Sequence, residues 1–149
     1  IDDDVQVTSV DDLIDYMVGR ISSDSDVQAT LKKDILAREA LGSVIFKDEG
    51  VLFLHTRSSA VTSLHVLVIR HQPLDYQGSS CEATLVLLAP KEVDSYALDV
   101  ISEVSRMTVS DPHFLTQIKN QETVQLYQTF EDHMTRFVMH QNTRLKVSH

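Results

Sequence analysis

From Val10 onward the apolar positions Val10, Leu13, Ile14, Met17, Val18 and Ile21 fall at i, i+3, i+4, i+7, i+8 and i+11, one continuous stripe on a helix. Ser9-Val10-Asp11-Asp12 opens that helix, with Ser9 as N-cap and Asp12 at the capping-box position. After a polar break, a second helix is predicted from about Ser25 to Leu41, with Val27, Leu31 and Ile35 inward and Gly42 as its stop. The pattern then changes to period two or to unbroken apolar runs. Val44-Ile45-Phe46 reads as a short strand, KDEG as a turn, and Val51 to Leu54 as a second strand. SLHVLVIR (Ser63 to Arg70) and ATLVLLA (Ala83 to Ala89) read as buried strands, and HQPLDYQGSS between them, with Pro73 and Gly78, as a loop. Beyond Pro90 the helical period returns in Ala97, Val100, Ile101, Val104 and Met107. Asp111-Pro112 starts a short helix carrying Phe114, Leu115 and Ile118. A last helix, about Glu122 to Met139, is expected to bury Tyr127, Phe130, Met134, Phe137 and Val138. Helix, helix, about four strands and three helices together predict an α/β sandwich, a small mixed β-sheet covered by helices. One domain is expected over 1–140, followed by a polar tail at 141–149.

Composition narrows the functions open to such a fold. The formal charge of −9, from 22 acidic and 13 basic side chains, argues against a broad nucleic-acid surface, and no concentrated basic face is visible. The balance suits partners that are proteins or small molecules. Cys81 is the single cysteine, so no intramolecular disulfide can form, which is compatible with a cytoplasmic location. No apolar run approaches the roughly 20 residues that span a bilayer, and IDDDVQV has neither region of a signal peptide. The absence of an initiator Met is what a domain cut or trimmed from a longer polypeptide would show. Asp2-Asp3-Asp4 reads as a disordered acidic end rather than a cation cluster.

Chemistry concentrates at DEGVLFLHTRSSAV, where a strand-like run ends on His55, with Thr56 and Arg57 directly behind. An imidazole with an unperturbed pKa of about 6.5 keeps a large neutral fraction and a free lone pair near neutral pH. A strand end fixes its backbone and leaves the ring reachable; an ordinary strand-end histidine bonded to a neighbour is the alternative. LAREALGS sets Arg38-Glu39 at the end of the second helix, and Gly50 stands five residues ahead of His55. Together these residues resemble the fructose/mannitol type of enzyme IIA domain (EIIA type 2) of the bacterial sugar phosphotransferase system (PTS). In that family an Arg-Glu pair precedes a Gly-rich turn, and a short strand leads to Pro-His-Gly or Pro-His-Thr. The likeness covers nearly the whole chain, including the LVLLAP strand and the closing helices.

The resemblance implies that His55 accepts a phosphoryl group from phospho-HPr. Arg38 would steady the phosphoryl oxygens and Thr56 would add a hydroxyl donor. It implies no metal and no cofactor. Two departures matter. Leu54 stands where the family has a proline, and Ala97 falls where a second histidine begins the helix after the LLA strand. Loss of that ring should weaken onward transfer to an enzyme IIB more than simple acceptance, and Asp94 and Tyr96 are not obvious replacements. Divergent domains of this kind also end transcription regulators that carry PTS regulatory domains. The leading expectation is therefore a regulatory phosphoacceptor domain in such a protein, with HPr as donor and PTS regulatory domains of the same chain as partners. It would touch neither nucleic acid nor membrane. The alternatives are a true enzyme IIA that passes phosphate to enzyme IIB in sugar uptake, and a non-phosphorylated interaction module.

Other histidines are expected in structural roles. His65 shares a strand face with Leu67 and Ile69 and reads as a core residue, within possible reach of His55 on a neighbouring strand. His71 and His113 are expected at the surface. His133 and His140 are seven apart, and no HxH or HxxxH pair exists to suggest a metal site. Cys81 is expected to be a half-buried small hydrophobe.

Overall fold

The computed structural model of the chain describes residues 1–132, arranged as a five-stranded mixed sheet in the order β1-β4-β5-β3-β2 with helices on both faces. The strands are β1 Asp2–Val5, β2 Val44–Phe46, β3 Val51–Arg57, β4 His65–Tyr76 and β5 Ser79–Ala89. The helices are α1 Val10–Ile21, α2 Ser25–Ala40, α3 Ser95–Ser110 and α4 Pro112–Asn120, and helical backbone runs again over 123–132. None of the helices among the described residues is long and apolar enough to cross a membrane.

Strand alternation builds the two layers. Leu52 and Leu54 of β3, with Val86 and Leu88 of β5, pack against Leu13, Ile14 and Met17 of α1 and Leu31 and Ile35 of α2. Val51 and Phe53, with Leu85 and Leu87, pack against Val100, Val104 and Met107 of α3 and Phe114 and Ile118 of α4. A strand covered on both faces has no polar side, which is why ATLVLLA reads as an unbroken apolar run. β3 runs parallel to β5, with His55 opposite Leu87 and Arg57 opposite Ala89. Both strands therefore present their C-terminal ends at the same edge of the sheet.

Several expectations need correction. The acidic start is not disordered: it forms β1, parallel to β4, making five strands rather than four. Asp2 is held by the Arg20 Nε at 2.7 Å and the Tyr16 hydroxyl at 2.7 Å, compensation from 14 or more residues away that a local reading of three aspartates does not see. The segment 71–80 is not a loop. β4 continues through Pro73 to Tyr76, and only Gln77 and Gly78 turn before β5. The register shifts between Arg70 and Leu74, and that irregularity accommodates a proline that cannot donate to the ladder. β3 runs three residues past Leu54, so His55 lies within the strand. Val27 is only half-buried, and Cys81 is fully buried rather than half-buried. Tyr127 is 56% exposed, with Leu126 taking the core position instead. Met134, Phe137, Val138, His133, His140 and the 141–149 tail lie outside the described residues.

Helix ends follow the sequence closely. Ser9 Oγ accepts from the Asp12 N–H at 3.1 Å, while the Asp12 carboxylate reaches one residue further back than a capping box requires, to the Thr8 hydroxyl at 2.5 Å. Gly42 has φ of 130° and Gly50 of 71°, conformations in which an L side chain would be strained.

Candidate functional site

The α2–β2 connection turns at Gly42, and β2 pairs only with Val51–Phe53 of β3. Beyond Phe53 that side of β3 has no strand among the described residues, and Arg38 from the last turn of α2 reaches His55 there. One guanidinium nitrogen donates to the Gly42 carbonyl at 3.0 Å, and the other lies 3.2 Å from His55 Nε2. Because a guanidinium can only donate, Nε2 is the acceptor, so the neutral ring carries its proton on Nδ1. His55 Nδ1 is buried and has no hydrogen-bond partner among the described residues. The Phe53 ring packs edge-on against the imidazole, with centroids 4.8 Å apart. Burial holds the His55 pKa below its ordinary value, the Arg38 charge lowers it further, and Glu39 opposes them. Both lowering influences favour the neutral ring, the form that has a lone pair to offer.

Around it lies an open cavity of about 300 Å³ lined by Arg38, His55, Thr56, Arg57, Leu87, Ala89 and Ile101. Among the described residues its lining includes two guanidinium groups and no carboxylate. Thr56 lines the cavity too, but pleat alternation sets its side chain on the sheet face opposite to His55. Its hydroxyl points to the Arg57 carbonyl at 3.4 Å. From α3 the cavity receives Ile101; Ala97 belongs to a separate hollow with Thr62, Ser63 and Leu64. Asp94 is the N-cap of α3, accepting from the Ala97 N–H at 2.8 Å, and Tyr96 is 56% exposed. No imidazole other than His55 lines the cavity among the described residues.

Two supports of the site went unread in the sequence. Ser58 is fully buried and donates to the Asp34 carboxylate at 2.6 Å, while its N–H donates to the Ala89 carbonyl at 2.9 Å. Asp34 and Arg38 are four apart on α2, so one helix face holds both ends of the stretch 55–58. The i, i+4 spacing was visible; that Ser58 would fold inward was not. Behind Arg38, the buried Glu39 carboxylate accepts from the Ser43 hydroxyl and from the Tyr76 hydroxyl at 2.9 Å. This ties the α2–β2 corner to the β4–β5 hairpin, a pairing that a loop over 71–80 would not predict.

The remaining histidines divide differently from expectation. His65 pairs with Leu88 across β5, which puts it beyond β5 and on the opposite face from His55. It is half-buried beside Ser63 rather than in the core. His71 is not solvated: it is 7% exposed, with Nε2 at 2.9 Å from the Thr84 hydroxyl and Nδ1 at 2.8 Å from the Gln72 carbonyl. Burial lowers its pKa, against the opposing pull of that carbonyl. A second hollow beside it is lined by Asp3, Asp4, Arg70, Glu82 and Lys119. The buried Arg70 there is already engaged by the Ile118 carbonyl at 2.9 Å. His113 is exposed.

Residues 1–133 match the family model described as phosphoenolpyruvate-dependent sugar phosphotransferase system, EIIA 2. No curated protein sequence matches the chain. Among solved structures, the nitrogen regulatory protein IIA-Ntr of Neisseria meningitidis aligns with a TM-score of 0.65 at 23% identity, over 85% of this chain and 88% of that one. The IIA mannitol structure from Escherichia coli aligns with a TM-score of 0.54 at 11% identity, over 90% and 92% of the two chains. At these identities the two structures establish a shared α/β fold.

Proposed function

This chain belongs to the EIIA 2 family of the phosphoenolpyruvate-dependent sugar phosphotransferase system, and from that membership we propose that it accepts a phosphoryl group from phospho-HPr on His55. The observation that carries the reading is the Arg38 guanidinium 3.2 Å from His55 Nε2, at an open cavity large enough for the group. The Nε2 lone pair forms the new N–P bond as the bond from phosphorus to the donor's ring nitrogen breaks. That electron pair returns to the donor, and His55 keeps its Nδ1 proton. Arg38 gives up Nε2 as the bond forms and turns its donors to the phosphoryl oxygens, where charge must be neutralised. The protein's share is positioning and electrostatics, with no metal or cofactor needed.

The same reading makes the domain a regulatory one, within a cytoplasmic transcription regulator that responds to sugar flux. In support, α3 offers the cavity an aliphatic Ile101, and no second imidazole among the described residues could steady a phosphoryl group on its way onward. Acceptance then outlasts relay. Its partners would be HPr and PTS regulatory domains, and phosphorylation would place a dianionic group in this cavity, beside a ring made cationic by its retained Nδ1 proton.

The test is incubation with enzyme I, HPr and labelled phosphoenolpyruvate, alongside His55→Ala, followed by a chase with enzyme IIB. Acid-labile label on the wild type alone, retained through the chase, is the expected result. Rapid loss to enzyme IIB would mark a transport component instead. No label on the wild type would leave an interaction module.

A further inference from the structure

We infer that Arg57 is a second phosphoryl-binding cation, taking on the open side of the cavity the place that no second imidazole among the described residues fills. The inference rests on the proposed phosphorylation of His55.

Geometry supplies three independent reasons. First, His55 and Arg57 are alternate residues of β3, so both side chains leave the same face of the sheet and both line the cavity. Second, the remaining walls, Leu87, Ala89 and Ile101, carry no side-chain donor, and the Thr56 hydroxyl is turned to the Arg57 carbonyl at 3.4 Å. Arg38 already gives one nitrogen to the Gly42 carbonyl, which restricts how much of its fork can follow the phosphoryl oxygens. Third, Arg57 is exposed, and among the described residues its guanidinium has no hydrogen-bond or ion-pair partner. A cation free to move, two residues along the strand from a nucleophile, can close on a dianion without giving up a contact elsewhere.

Arg38 and Arg57 then divide the work. Arg38 is fixed before transfer and lowers the His55 pKa; Arg57 engages only once negative charge arrives. In the transfer no bond to Arg57 forms or breaks. Its contacts exist in the phosphorylated state and not in the free one, so they act on the equilibrium of transfer as well as on its rate. A residue that merely steered the donor protein would change the rate alone.

The experiment measures the equilibrium of phosphoryl exchange between phospho-HPr and the wild type, Arg57→Gln and Arg57→Lys. Loss of a charge-assisted contact should lower the transfer equilibrium constant of Arg57→Gln by about tenfold, with Arg57→Lys recovering most of it. An unchanged equilibrium constant, at whatever rate, overturns the assignment. If the wild type takes no label, the functional reading itself has failed. Titration with inorganic phosphate, followed at the His55 ring by NMR, then decides the inference. Weakening of about tenfold in Arg57→Gln supports it; equal binding by both proteins, or none by the wild type, overturns it.

Discussion

At the scale of single residues, the His55 ring is shaped by demands that conflict. Arg38 donates to Nε2, which forces the proton onto a buried Nδ1 that has no acceptor among the described residues. An unsatisfied buried donor costs about 1–3 kcal/mol, and the ring remains because the surrounding strands hold it there. Replacing Arg38 by Gln removes the second of the two influences that lower the His55 pKa. The His55 titration, followed by NMR, should move up toward the ordinary imidazole value. Phosphoryl acceptance should fall by about 10²- to 10³-fold, as when one preorganised donor is lost from an active site. An unmoved titration would mean that the guanidinium does not sit at the ring in solution. His71 tests the opposite kind of residue. His71→Ala leaves the Thr84 hydroxyl buried without this partner and should cost about 1–3 kcal/mol in denaturant unfolding, while the chemistry at His55 continues. His55 and Arg38 were legible because a strand ending on an imidazole and a helix ending on Arg-Glu are local patterns. His71 was not, because its burial depends on β1, far back in the sequence, and on Thr84 across the β4–β5 hairpin, 13 residues away.

At the scale of elements, the corner between α2 and β2 matters most to the site. Glu39 on α2, Ser43 in the connection and Tyr76 at the end of β4 share one carboxylate. Glu39→Ala would leave two hydroxyls around an apolar gap and release the corner from which Arg38 reaches out. Stability should fall by about 1–3 kcal/mol, measured by urea unfolding, and phosphoryl acceptance should drop with it. Tyr76→Phe removes one donor and should cost less, about 1 kcal/mol. Equal stability of Glu39→Ala and wild type would contradict the corner's role. The α-helices were readable at this scale because capping and the 3.6-residue period are written within each of them. Ser9 and Asp111 cap where expected. Strands were readable when doubly covered, as in β5. They were missed where long-range pairing overrides local propensity: three aspartates in β1, and Pro73 in β4 at a register shift.

Across the whole molecule, two half-buried or buried imidazoles make stability depend on pH. Burial is the first cause of the lowered pKa for both His55 and His71. A histidine whose folded pKa lies below its unfolded value of about 6.5 is neutral in both states above that value and adds no pH dependence there. As pH falls below about 6.5 the unfolded chain binds protons first, so stability declines until the folded-state values are passed. Thermal melts should therefore be flat from pH 8 to about 6.5 and fall below it. His71→Gln should flatten part of that fall. Carboxylates join the decline at lower pH, Asp2 among them, because the Arg20 hydrogen bond holds its pKa below the usual range. The two-layer architecture was legible from the switch between helical and strand periods. What the pattern left out was the order of strands, and with it the fact that β3 and β5 end side by side, where the cavity forms.

The most direct test of the account is 15N and 31P NMR of the phosphorylated chain. The expected spectrum shows a phosphorus-coupled Nε2 on His55, with the Nδ1 proton retained and the signal absent from His55→Ala. Coupling at Nδ1, or phosphorus on His65 or His71 instead, would contradict it.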